Sequence, residues 1–239
     1  MKSMTGFWLE TDNQKACEIA RLVGYDLVIF DMEHGILDDA ALDRLVPLAL
    51  SLGLISYVRV SEATQPKIQT ALDIGASGVI LPQLRDLAHA RDVTRFAKFP
   101  PLGQRGLGYS RTQSYGTATN DFILQENDTR KCFAMIETAA AFDDAKAIAD
   151  LPCVDGLFIG PADLSLARGR GVFTASPADI ADLSHLAGVA KGAGKPWAAA
   201  AGHPQYRAQA LRHEPSFVAS ADDLSALYAG FRSLLDLQA

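Results

Sequence analysis

Short apolar runs alternate along this chain with longer segments whose apolar residues recur at helical spacing. Leu27-Val-Ile-Phe30, Gly78-Val-Ile-Leu81, Cys132-Phe-Ala-Met-Ile136 and Gly156-Leu-Phe-Ile159 are continuous apolar runs. That pattern belongs to strands buried on both faces. Residues 6–10, 56–60, 197–201 and 216–220 bring the strand count to eight. Helical spacing fills the gaps. Residues 13–23 carry Ala16, Ile19, Ala20 and Val23 and stop at Gly24, a C-cap signal. Asp38 caps a helix that runs to Leu52 and closes at Gly53. Further helices are predicted over 66–74, 86–96, 140–150, 177–190, 205–213 and 222–237. Eight strand–helix repeats in 239 residues predict an α/β chain folded as one (β/α)8 TIM barrel spanning 1–239. A doubly wound sheet is the second choice, but it rarely needs eight such units. Residues 98–127 break the rhythm with Pro100-Pro101, four glycines and Tyr109. A loop of this length predicts a functional role, here an active-site loop. Its arginines and aromatics argue against disorder.

In a barrel the chemistry sits at the carboxyl ends of the strands. Those ends carry Glu10, then Asp31, Glu33 and His34, then Arg59, Pro82, Glu137, Asp163, His203, and Ser220 with Asp222. Lys131 and Lys195 stand at strand starts and so face the other end. No strand has an interior lysine, so Schiff-base chemistry is disfavoured and carbonyl chemistry would call for a metal. Glu137 closes one strand, and Asp163 lies just past the next, within Val154-Asp-Gly-Leu-Phe-Ile-Gly-Pro-Ala-Asp-Leu-Ser-Leu166. Two hard oxygen ligands that converge suit Mg²⁺ or Mn²⁺. Both acids also suit ordinary helix starts, and spacing alone leaves the two readings open. Asp31-x-x-His34 likewise reads as a turn with a satisfied histidine or as a catalytic pair. Arg59 reads as a substrate ligand or as a buried partner of Asp31 or Glu33. Arg105 and Arg111 either bind a substrate carboxylate or brace the long loop.

Composition narrows the field. Net charge is −6 with no Lys/Arg run, which excludes nucleic acid and anionic membrane as expected partners. Three cysteines form no C-x-x-C, and Cys17 and Cys132 sit among apolar residues, so a reducing cytoplasm is expected. The first residues lack an apolar signal core, and no run reaches membrane-spanning length. Gly103, Gly106 and Gly108 lie in the long loop and not in a strand-to-helix turn, which weakens a dinucleotide reading.

Taken together, several strand ends resemble the HpcH/HpaI aldolases, metal-dependent pyruvate aldolases on a TIM barrel. The residues are Phe30-Asp31-Met-Glu33-His34-Gly35, Val58-Arg59-Val60, Leu72-Asp73-Ile-Gly75-Ala76, Gly103-x-Arg105-Gly106-x-Gly108, Ile136-Glu137-Thr138 and Asp155-Gly156-x-Phe158-Ile159-Gly160-Pro161-Ala162-Asp163. The resemblance implies that Glu137 and Asp163 hold a divalent metal (Mg²⁺, Mn²⁺ or Co²⁺). It implies that Arg59 contacts the keto oxygen of pyruvate, and that Gly160, Pro161, Ala162 and Asp163 receive the carboxylate through the N–H groups of Ala162 and Asp163. His34, oriented by Asp31, would move the aldol proton, and Trp8 would lie over the aldehyde. Asp73 would be structural. The small-molecule partners implied are a 2-oxo acid and an aldehyde, in a homo-oligomer (trimer or hexamer) whose C-terminal helix, 222–237, packs on a neighbour. A role in breakdown of aromatic compounds is implied too. The chain departs from the family at Met135, where the family commonly has Gln; a thioether cannot hold a metal-bound water as an amide can. Met135-Ile-Glu-Thr also resembles the citrate lyase β subunits, giving an acyl-CoA ester lyase as the alternative. A catalytically silent oxo-acid-binding barrel is a third reading.

Overall fold

The computed structural model describes residues 3–237. Its strands are β1 (Met4–Leu9), β2 (Leu27–Asp31), β3 (Ile55–Arg59), β4 (Gly78–Leu81), β5 (Lys131–Ile136), β6 (Gly156–Ile159), β7 (Trp197–Ala200) and β8 (Phe217–Asp222). They pair in parallel in chain order and close into a barrel, the (β/α)8 architecture expected. Around it lie α1 (Gln14–Val23), α2 (Asp39–Ser51), α3 (Gln65–Ile74), α4 (Leu87–Thr94), α5 (Asn120–Thr129), α6 (Ala139–Asp143), α7 (Ala145–Ala149), α8 (Pro161–Ala167), α9 (Pro177–Gly192), α10 (Pro204–Arg212) and α11 (Asp223–Asp236). Local chemistry sets these bounds. Asn13, Asp38, Asp86 and Ser176 each accept a backbone N–H at a helix start. Gly24 and Gly75 close α1 and α3 at φ 100° and 113°, where an L side chain is strained. Among the described residues no helix is long and apolar enough to cross a membrane.

Side chains on a strand alternate between faces, so each stave has an inner and an outer set. The outer set (Val28, Phe30, Val58, Val79, Leu157, Ile159) packs against the helices in the larger core. The inner set fills the barrel with Leu27, Ile29, Tyr57, Ile80, Phe133, Met135, Phe158 and Phe217. Tyr57 stacks on Phe217 at 5.2 Å, and Phe133 meets both rings edge-on at 5.4 Å. Gly156 makes room for this packing, because a Cβ there would stand 2.5 Å from the Phe133 ring and 2.7 Å from the Pro196 carbonyl. The plug is the floor of the site. Counting upward from it in steps of two, the next inward positions are Trp8, Asp31, Arg59 and Glu137.

Three elements differ from the expectation. The helix over 140–150 is split at Asp144 into α6 and α7. A short helix, α8, starts directly on Gly160-Pro161; proline at N1 needs no N–H partner and is preset for helix. Residues 98–127, expected as an active-site loop, contain α5 and run from a helix back to a strand, so they start at the amino end of the barrel. There Lys98 Nζ donates to the carbonyls of Asn127 and Arg130, at 2.7 Å each, and pairs with Asp155 at 2.7 Å. Further on, the Arg105 guanidinium binds Asp73 at 2.6 Å and Glu126 at 3.1 Å, over the Phe99 ring. Arg111 binds Asp43 on α2 at 2.7 Å. Both arginines therefore brace this segment within the chain, and no residue of it lines the cavity at the barrel mouth.

Candidate active site

A cavity of about 220 Å³ opens at the carboxyl ends of the strands. Trp8, Asp31, His34 and Arg59 line one part; Met135, Glu137 and the turn Gly160-Pro161-Ala162-Asp163 line another. Glu10, Ala200 and Asp222 complete it. The nine residues to which the resemblance gives site roles thus meet around one space, joined by Glu10 and Asp222 from the strand ends. His203 does not join them; it stands at the start of α10, edge-on to Phe173.

Arg59 is held on three sides. Its Nε and Nη2 donate to the two oxygens of Asp31 at 2.8 and 2.5 Å, a fork-on-fork pair. Nη1 lies 3.2 Å from Glu33 Oε2 but off the hydrogen-bond direction, leaving that oxygen ion-paired without a hydrogen bond. Trp8 stacks on the guanidinium, 4.6 Å from ring to Cζ. Burial works against the arginine's charge, but the hydrogen bonds and charge of Asp31 overcome it and raise its pKa. This corrects one expected relation. Asp31 does not reach the His34 ring through any hydrogen bond seen here; it accepts the backbone N–H groups of Glu33 and His34, at 3.0 and 3.3 Å, and spends its outer faces on Arg59. The bidentate guanidinium outcompetes a single imidazole N–H. His34 itself stands exposed at the rim.

Glu137 is almost fully buried. Oε1 accepts the Gln83 backbone N–H at 2.6 Å, while Oε2 has no partner. Gln83 sits at φ 52°, a left-handed conformation that L residues adopt at a cost, and this turn aims its N–H at the carboxylate. Burial pushes the Glu137 pKa up to about 7; the Gln83 hydrogen bond resists, and the charges of Glu33 and Asp163 add to the rise. Gly160 is fitted to this side chain. A Cβ there would lie 2.5 Å from Met135 Cε and 2.8 Å from Glu137 Oε2. Met135, inward on β5, packs under the acid as part of the barrel plug. Asp163 stands in the first turn of α8, where the N–H groups of Ala162 and Asp163 lack helical acceptors.

A buried carboxylate oxygen without a donor, facing a space shared with a second carboxylate, is a poor arrangement for protein alone and a good one for a hard cation. The donor set of Glu137 and Asp163 therefore fits a divalent metal. Two protein oxygens leave most coordination positions to a chelating ligand and water. Among the described residues no cluster of three or more His, Cys, Asp or Glu side chains forms a fuller metal cage.

Three features escaped the sequence reading. Gln83 matters only through its backbone geometry, which no side-chain pattern signals. Glu10 and Asp222 were recognised at strand ends but given no role. Glu10 is half-buried, and burial together with the charges of Asp222 and Asp31 raises its pKa.

Comparison with known proteins agrees with this geometry. The family description HpcH/HpaI aldolase/citrate lyase matches residues 4–186. The chain is 31% identical to the 2-dehydro-3,6-dideoxy-6-sulfogluconate aldolase of Pseudomonas putida, over 96% of this chain and 90% of that protein. It is 34% identical to the 2-keto-3-deoxy-L-rhamnonate aldolase of Shigella dysenteriae, over 69% of this chain but 62% of that protein's length. Among solved structures, an HpcH/HpaI aldolase from Desulfitobacterium hafniense superposes with TM-score 0.91 at 26% identity, covering 99% of this chain and 92% of that one. The citrate lyase β subunit of Mycobacterium tuberculosis, at 16% identity and TM-score 0.53, covering 92% of this chain and 91% of that one, shares the fold alone. The chain belongs to the HpcH/HpaI aldolase/citrate lyase family, and with it to the carbon–carbon lyases.

Proposed function

We propose that this chain is a divalent-metal-dependent aldolase that reversibly cleaves a 4-hydroxy-2-oxo acid into pyruvate (or hydroxypyruvate) and an aldehyde. The observation that carries the reading is the Glu137 carboxylate. One oxygen is fixed by a strained backbone N–H, and the other is buried without a partner in the cavity that Asp163 also lines. Glu137 and Asp163 would hold Mg²⁺, Mn²⁺ or Co²⁺, which when bound withdraws charge from the carbonyl oxygen of a 2-oxo acid.

The chain's own groups do the rest. Arg59, kept charged by Asp31 and held in place over Trp8, offers a fixed donor where negative charge develops on the 2-oxo oxygen. The free N–H groups of Ala162 and Asp163 receive the carboxylate; Pro161 has none to give. His34, at the rim, takes the proton from the 4-hydroxyl in cleavage and returns it in condensation. Trp8 also walls the aldehyde side. The test is exchange of the pyruvate methyl protons in D₂O, followed by NMR, with Mn²⁺ and then with EDTA. Exchange that stops with the chelator and is lost in Glu137→Ala supports the reading, whereas exchange that ignores the chelator removes the metal from it.

We also infer a homo-oligomer, a trimer or hexamer, supported by the uncovered apolar face of α11, and a cytoplasmic setting, supported by three free buried thiols.

A further inference from the structure

We propose that Glu10 and Asp222 form a carboxylate wall on the aldehyde side of the cavity, which selects uncharged, hydroxyl-bearing aldehydes and turns away those with an anionic tail. The inference rests on the aldolase reading and adds the class of its second substrate.

Strand order separates the two sides. Arg59, Glu137 and Asp163 come from β3, β5 and the end of β6, so the oxo acid occupies that arc. The arc left for the aldehyde is β7, β8 and β1, which contributes Ala200, Asp222 and Glu10. The two acids reach the cavity by different routes. On β1 the inward parity of Gly6 and Trp8 continues to Glu10. On β8 the inward residues are Phe217 and Ala219, and simple alternation would turn Asp222 outward. A bulge intervenes. Gly6 pairs with Ala219, but Phe7 pairs with Ala221 and Trp8 with Asp222, so one extra residue is inserted and Asp222 is re-aimed inward beside Trp8.

The wall is charged and uncompensated. Among the described residues neither Glu10 nor Asp222 is ion-paired, and Arg59, the cavity's one guanidinium, is committed to Asp31 and Glu33. Asp223 is used differently: its carboxylate accepts the Glu10 N–H at 3.0 Å and pins the end of β1. One oxygen of Asp222 caps Ser225 at 2.6 Å, leaving the other for a ligand. Ala200, on β7 beside Asp222, puts only a methyl group on that flank of the cavity. Carboxylates accept hydrogen bonds from hydroxyl groups and repel anions. The P. putida relative acts on an acid bearing a 6-sulfo group; cleavage of a 2-oxo-3-deoxy acid between C3 and C4 leaves such a group on the aldehyde, the charge this wall opposes.

The experiment compares kcat/KM for condensation of pyruvate with D-glyceraldehyde and with succinic semialdehyde, in Mn²⁺, for the wild type, Glu10→Gln and Asp222→Asn. Asn retains the oxygen that caps Ser225, and Gln is isosteric, so both variants are expected to melt near the wild type. The wild type is expected to prefer glyceraldehyde by at least about tenfold, and each variant to narrow that ratio through KM for the anionic aldehyde. Equal use of the two aldehydes, a ratio unmoved in both folded variants, or refusal of glyceraldehyde while pyruvate methyl exchange proceeds would overturn the wall. Absence of that exchange in the wild type overturns the aldolase reading beneath it.

Discussion

Glu137 is asked to be neutral without a cation and charged with one. Its pKa, pushed up to about 7 chiefly by burial, means the folded chain holds a proton there that the unfolded chain, with an ordinary glutamate, releases near pH 4.5. More protons are then bound by the native state between those values, so this group's contribution to stability falls as pH rises from about 4.5 through about 7. A metal must displace that proton. Mn²⁺ affinity is therefore expected to rise with pH and to level off above about 7, with proton release at lower pH, measurable by calorimetry in buffers of different ionisation enthalpy. Glu137→Gln should abolish this dependence. Gly160→Ala tests the same pocket sterically, because its Cβ would lie 2.8 Å from Glu137 Oε2. Methyl exchange is expected to drop at least about tenfold in a chain that still folds. Arg59→Lys keeps the charge but loses the fork held by Asp31, and a loss in kcat on the order of 10²-fold is expected. Asp31, His34, Arg59, Glu137 and Asp163 were legible because strand ends fix which side chains can converge, whereas Trp8 and the turn Gly160-Pro161-Ala162 came only through the resemblance. Arg59's two readings proved compatible, since pairing with Asp31 is what positions it in the cavity. The Gln83 N–H was illegible, because a backbone torsion leaves no mark on residue type.

At the scale of elements, the alternation of apolar runs and amphipathic segments gave eight strands in the right order, since each must be buried on both faces. What it missed were departures from simple alternation. The β8 bulge adds one residue and reverses which of Ala221 and Asp222 faces inward, with no glycine or proline to flag it. That the segment 98–127 lines no part of the cavity of its own chain was not legible, because length and arginine content say nothing about which end of the barrel a connection joins. The order of elements does: after a helix, the chain returns to the amino end. Its anchor is Lys98, 1% exposed, bound to two carbonyls and Asp155. Lys98→Met leaves those acceptors unpaired and is expected to cost about 3 kcal/mol of stability in denaturant titration. Because the anchor lies far from the mouth, metal affinity of the folded protein should hold. A parallel loss of metal affinity would mean that this segment couples to the site.

For the whole molecule, the unsolved part of the packing is α11. Leu227, Tyr228, Phe231, Leu234 and Leu235 are 45–69% exposed along it, and Ile19, Leu22 and Val23 on neighbouring α1 are 59–85% exposed. Between the two helices lies a groove of about 270 Å³, lined by Phe7, Ala16, Ile19, Val23 and Leu227. A single chain that left so continuous an apolar surface in water would forgo about 1.5–3 kcal/mol for each large side chain it failed to bury. A second copy covers it most economically, because the same helix and groove occur on every subunit and a symmetric interface satisfies both at once. The trimer or hexamer proposed above should give three or six times the chain mass in light scattering. Phe231→Asp combined with Leu234→Asp should lower that number toward one while far-ultraviolet circular dichroism stays unchanged. Since α11 begins at Asp223, whose carboxylate holds the Glu10 N–H, dissociation should also loosen the aldehyde wall and raise KM for the aldehyde more than for pyruvate. A wild-type chain that scatters as a monomer at micromolar concentration would remove the oligomer and this coupling together, and would leave the apolar face to some other partner.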